Sequence, residues 1–84
     1  GLVSLVVPVE ELEAETMKVA EKIASHSLPV LKKIKRSVNR AFELPLSKGL
    51  KYERRAFEST FALKDQKEGM EAFVKKRPPN FTDE

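Results

Sequence analysis

One short run of apolar, largely β-branched residues, Val3 to Val7, ends at Pro8 and has no counterpart elsewhere in the 84 residues. Such a run suits a strand buried on both faces. A lone strand leaves its backbone donors and acceptors unpaired, so its partners are expected on sequence outside this chain. No sheet can be completed from these residues, and the remainder must be helix or loop.

The apolar spacing of that remainder reads as helix. From Glu10 to Ala24, the residues Leu12, Val19, Ala20 and Ile23 recur at intervals of three, four and seven, with Glu10, Glu11, Glu13 and Glu15 gathered at the start. Carboxylates there oppose the positive end of the helix dipole, which explains them without paired-carboxylate catalysis. Ser27 and Pro29 open a second helix, the serine as a cap and the proline in the first turn, with Leu31, Ile34, Val38, Ala41 and Phe42 on one stripe until Pro45 stops it. A third runs from a cap at Ser47 to about Leu63 and carries Leu50, Phe57 and Phe61. The fourth opens at Asp65, where Asp65-Gln66-Lys67-Glu68 has the form of a capping box, and buries Met70, Phe73 and Val74. Gly69 inside it costs about 1 kcal/mol against alanine, which predicts close approach of another backbone. Pro78-Pro79 is expected to end the helix and leave an extended tail anchored by Phe81. The expected architecture is all-α, four helices preceded by a strand stub.

Chemistry is limited by what is missing. The sequence has no cysteine, so it offers no disulfide, thiolate nucleophile or thiolate ligand, and a reducing intracellular compartment fits best. Its one histidine, His26, precedes a helix and reads as a polar surface residue; a paired-histidine metal site is impossible. Three glycines do not make a phosphate-cradling loop. With 35% charged residues and no long apolar stretch, no membrane span is expected. Sixteen basic against 13 acidic residues is a mixed surface, not a polycation. Lys32, Lys33, Lys35, Arg36 and Arg40 on the second helix could meet phosphates or an anionic membrane, but no aromatics interleave with them, and a solvated face accounts for them. The first residue is not methionine, and GLVSLVV lacks a basic leader, so residue 1 reads as an internal boundary with any address signal upstream. A chain of this size buries only roughly 60% of its unfolded surface. Its apolar stripes would leave several hundred Å² facing water, so association with copies of itself is expected.

Four blocks carry a family resemblance: GLVSLVVP, AEKIAS, SVNRAFE and, most specific of all, STFALKDQKEGMEAFVKKRPPNF from Ser59 to Phe81. The phenylalanine spacing, the D-x-K-E-G-M-x-A-F core and the trailing K-R-x-P-x-F are hard to match by accident. Together they resemble the enoyl-CoA hydratases of the crotonase superfamily, most closely the short-chain mitochondrial type and its bacterial relatives. The chain departs from commoner members at Leu63 and at Pro78-Pro79, which bear on the path of the tail.

The resemblance implies that residues 1–8 are the last strand of a spiral core lying upstream, and residues 9–84 the C-terminal helical oligomerisation region. The catalytic glutamates and oxyanion-hole amides would then lie outside this sequence, leaving no catalytic residue here and no hydratase activity in the isolated chain. The parent would hydrate the α,β double bond of an enoyl-CoA in fatty acid β-oxidation, as a trimer or dimer of trimers, in the mitochondrial matrix of a eukaryote or the cytoplasm of a bacterium. No cofactor is implied beyond the coenzyme A of the substrate, and no nucleic acid or membrane partner. By motif, Phe57 and Lys76 correspond to positions bordering bound CoA: Phe57 would wall the pocket and Lys76 pair with a phosphate. Core or subunit contact is the competing role for Phe57. Lys75 and Arg77, which flank Lys76, leave the register of the phosphate contact open. Two other readings stand beside the hydratase: a basic helical module binding nucleic acid or anionic membrane, and another crotonase-type reaction such as isomerisation or dehydration.

Overall fold

A computed structural model describes residues 1–84. It contains four helices, α1 (Val9–Ala24), α2 (Leu28–Arg40), α3 (Leu46–Ser59) and α4 (Lys64–Val74), with a single 3₁₀ turn, η1 (Thr60–Ala62), between the last two. The all-helical expectation holds. The strand does not form: Val3 to Val7 have no regular structure, because nothing in the chain can pair with them. Instead Ser4, Leu5 and Val7 line one groove with Leu12, Val19 and Ile23 of α1.

The helix ends differ from expectation in instructive ways. Ser27 is the N-cap residue of α2, but its side chain makes no capping bond. The first helical amide, Leu28 N–H, donates instead to Asp83 Oδ1 at 2.8 Å, a charged acceptor brought from the far end of the chain. The cap of α3 is Pro45, not Ser47, which falls inside the first turn. Ahead of Pro45, α2 stops at Arg40 and Ala41 to Leu44 form a turn, so the helix ends earlier than the proline requires, which bars the helical region only to Leu44 directly before it. Beyond Ser59 the expected end of α3 tightens into η1.

Packing is sparse. Helices α2 and α3 lie against each other, and η1 joins α3 to α4. Only Ser27, Asp65 and Ala72 are buried, so Met70, Phe73 and Val74 do not form the buried side expected of α4. Phe42 and Phe73 are more than four-fifths exposed at 88% and 83%. The radius of gyration is 16.0 Å, against roughly 12 Å for a compact chain of this length. A molecule 43 × 37 × 19 Å across with one buried apolar residue has no core of its own. Its amphipathic faces, periodic as the sequence requires, are built to be covered.

Candidate functional site

The α2–α3 pair forms a shallow apolar groove of about 510 Å³, lined by Val30, Ile34, Val38 and Ala41 from α2 and its following turn and by Ala56 and Phe57 from α3. A second groove of about 400 Å³ runs on the other side of Ile34 and Phe57, bounded by Leu31, Phe61, Met70 and Phe81. Phe57 and Ile34 therefore stand on the ridge between two continuous apolar hollows. The Phe57 ring meets Phe61 edge-on, with centroids 5.6 Å apart and planes at 89°, an arrangement that sets the phenyl quadrupoles favourably. Phe57 remains 64% exposed. It can offer an apolar wall to whatever covers the ridge.

Lys76 lies elsewhere. Lysine at φ 54° is in the left-handed region, directly beyond α4. Lys76 N–H donates to Phe73 O at 3.2 Å and Arg77 N–H to Ala72 O at 3.0 Å. This is the double bond pattern of a Schellman cap, and it ends α4 well before the proline pair expected to do so. Neither groove includes Lys76, so the structure does not bring it together with Phe57. Its flanking cations are both engaged. Lys75 Nζ lies 2.6 Å from Glu71, and Arg77 binds Glu68 through two bonds of 2.6 and 3.0 Å. Lys76 alone of the three has no carboxylate partner.

The residues sequence reasoning missed are the two carboxylates of the apparent capping box. Asp65 sits inside the first turn of α4 behind the N-cap Leu63, and no side chain caps that helix. Asp65 accepts from Ser27 Oγ–H at 2.6 Å and from Thr82 N–H at 2.9 Å. Glu68 accepts from the Arg77 guanidinium and, at 2.9 Å, from Asn80 N–H. Both thus fasten the tail, which runs back antiparallel along α4 and lays the Phe81 ring over Gly69, 3.4 Å from where a Cβ would stand. The close approach predicted at Gly69 is made by a ring edge, not a backbone. Phe81 anchors the tail as expected. Tail and helix are further tied by Lys64 N–H to Glu84 O at 3.0 Å and Lys64 Nζ to Glu84 at 3.1 Å.

Charge follows this geometry. The Arg77 guanidinium, with help from Asn80 N–H, holds the Glu68 carboxyl at about 2, and Arg77 is raised in return. At Asp65 burial works upward, but the Ser27 hydroxyl and the amides of Thr82, Asp83 and Glu84 outweigh it and leave the carboxyl below its usual range. Lys75 lowers Glu71. These carboxylates are committed acceptors, unsuited to taking a proton near neutrality. No cluster of three or more His, Asp or Glu residues is arranged to hold a metal ion, and no helix is long and apolar enough to cross a membrane. On the basic side of α2, Arg40 is taken up by Glu43 at 2.8 Å and lies 5.9 Å from the centre of the Tyr52 ring.

A family profile described as Enoyl-CoA hydratase/isomerase matches residues 1–84, the whole chain. The chain belongs to the enoyl-CoA hydratase/isomerase family. It is 57% identical over 81 residues to a probable mitochondrial enoyl-CoA hydratase of Dictyostelium discoideum, an overlap of 96% of this chain and 29% of that protein. It is 54% identical over 84 residues to the mitochondrial enoyl-CoA hydratase of Pongo abelii, covering 100% of this chain and 29% of that one. A probable enoyl-CoA hydratase of Rhizobium meliloti is 56% identical over 81 residues, 96% of this chain and 32% of the relative. Among solved structures, the enoyl-CoA hydratase of Bacillus anthracis superposes with a TM-score of 0.90 at 38% identity, over 100% of this chain and 33% of that one. The chain spans about a third or less of the relatives it matches. An enoyl-CoA hydratase/isomerase segment of that extent accounts for helices that have apolar faces and no core.

Proposed function

We propose that this chain is the C-terminal region of an enoyl-CoA hydratase, a lyase that adds water across the α,β double bond of an enoyl-CoA thioester in fatty acid β-oxidation. The observation that carries the reading is the end-to-end match to hydratases at 54–57% identity. In it, residues 1–8 complete the sheet of an upstream spiral core, where Val3 to Val7 gain the strand partners they lack here. Residues 9–84 form the oligomerisation region. The uncovered ridge of Ile34 and Phe57 supports that role, because faces of this kind are stable only against another apolar surface.

The parent works as a homotrimer or a dimer of trimers, and this region completes the acyl-CoA pocket of a neighbouring subunit. Phe57 supplies an apolar wall, and Lys76 a point charge for a CoA phosphate. The pairing of Lys75 with Glu71 and of Arg77 with Glu68 supports Lys76 over its neighbours for that contact. Water addition itself is general acid and base work by upstream carboxylates, with the enolate oxygen held by backbone N–H groups. The enzyme needs no cofactor, and its substrate carries the coenzyme A. It binds neither nucleic acid nor membrane, and it resides in the mitochondrial matrix of a eukaryote or the cytoplasm of a bacterium.

Crotonyl-CoA hydration separates the two levels of this reading. The full-length protein forms 3-hydroxybutyryl-CoA, and the purified 84-residue chain forms none. Hydration by the short chain alone would overturn the assignment of catalysis to upstream residues, and a shifted double bond as the sole product of the full-length protein would make it an isomerase.

A further inference from the structure

A lysine at φ 54° is costly, since Cβ crowds the following carbonyl oxygen, and it persists only where its surroundings over-determine it. The surroundings of Lys76 do so from both sides. Behind it, the two cap bonds to Phe73 and Ala72 fix the end of α4. Ahead of it, Arg77 reaches back nine residues to grip Glu68 with two bonds, and Glu68 takes a third from Asn80 N–H beyond the proline pair. One carboxylate thus pins the chain on either side of Pro78-Pro79. Residue 76 is left at the point where the backbone reverses.

We propose that Glu68 and Arg77 are positioning residues for Lys76: their forked ion pair holds the reversal that presents Lys76, the unpaired cation of 75–77, to the phosphates of a CoA thioester. Neither touches the ligand. The inference rests on the reading of Lys76 as a phosphate contact. It adds that the clamp acts on binding only through Lys76. Arg77 is withheld from phosphate by Glu68, so the pair also sets which of three adjacent cations makes the contact.

The test uses the full-length enzyme, with crotonyl-CoA and with crotonyl-pantetheine, which keeps the thioester and lacks the nucleotide phosphates. Lys76→Ala is expected to raise KM for crotonyl-CoA about three- to tenfold with kcat unchanged, as befits one partly exposed charge contact. Glu68→Gln, which forfeits the ionic fork, is expected to raise it by a similar factor. The double variant should do no worse than Lys76→Ala alone, and none of the three should change KM for crotonyl-pantetheine. An unchanged KM in Glu68→Gln beside a raised one in Lys76→Ala would overturn the clamp and leave the CoA reading standing. An unchanged KM in Lys76→Ala would overturn both. Additive losses, or losses shared by the pantetheine substrate, would make Glu68 a structural residue and refute the proposal. Where Glu68→Gln does not assemble, Glu68→Asp carries the same comparison, since it keeps the charge and shortens the reach by one methylene.

Discussion

Replacing Gly69 by alanine is the sharpest probe of how the tail lies on α4. The glycine occupies a helix interior, where it costs about 0.8–1.0 kcal/mol against alanine. An added Cβ would meet only the Phe81 ring, at 3.4 and 3.6 Å, which is ordinary contact distance. Each such contact contributes about 0.1–0.2 kcal/mol, so Gly69→Ala is expected to stabilise by about 1 kcal/mol. Gly49, inside α3 with nothing within 4 Å of its Cβ position, provides the reference. Gly49→Ala should gain the same propensity term without the ring contact. Urea titration of the full-length protein, in which these helices have the apolar surfaces they need, reads both when followed by circular dichroism. The two variants should agree within a few tenths of a kcal/mol. Destabilisation by Gly69→Ala beside stabilisation by Gly49→Ala would mean that something closer than a ring edge lies over α4, and the tail path would be refuted.

Lys76→Gly is expected to oppose stability and function in one variant: relief of the left-handed lysine, less the added freedom of glycine, should stabilise the cap of α4 by about 0.5–1 kcal/mol. Slower amide exchange across 72–77 in the full-length protein would show it, while KM for crotonyl-CoA rises. The Glu68 carboxyl, held at about 2, lies below its unfolded value near 4.3, so the stability it lends is fully present above that value. It is lost as pH falls from about 4.3 towards 2, and the lowered carboxyls of Asp65 and Glu71 act in the same direction. The Asn80 amide shift, followed by NMR through an acid titration, should report this release of the tail. Asp65→Ala removes the acceptor shared by Ser27 and Thr82 and leaves the Ser27 hydroxyl buried without a partner. Faster exchange of the Thr82 and Leu28 amides would reveal it.

The helices were legible because their signals are local. Apolar residues three and four apart, with Pro8, Pro29 and Pro45 as punctuation, require nothing beyond a window of about 15 residues. The ends were less legible because their partners are distant. Asp65 and Glu68 look like a capping box within four residues, yet Ser27, Arg77, Asn80 and Thr82 compete for the same oxygens. The cap at Lys76 was hidden because the usual sequence mark of a left-handed terminus is glycine. Phe57 stands out in the sequence by its place just before the STFA element, and the structure leaves it exposed between two grooves. Val3 to Val7 kept their strand-like composition without the strand, since sheet pairing belongs to a neighbour and not to the run itself.

Asp83, itself at φ 63°, lends its carboxylate to the first turn of α2 across 55 residues, and Glu84 closes on Lys64. The start of one helix is therefore exposed to whatever happens at the opposite end of the sequence. Loss of the Asp83 carboxylate, as in Asp83→Ala, would uncap α2 without altering anything near it in sequence.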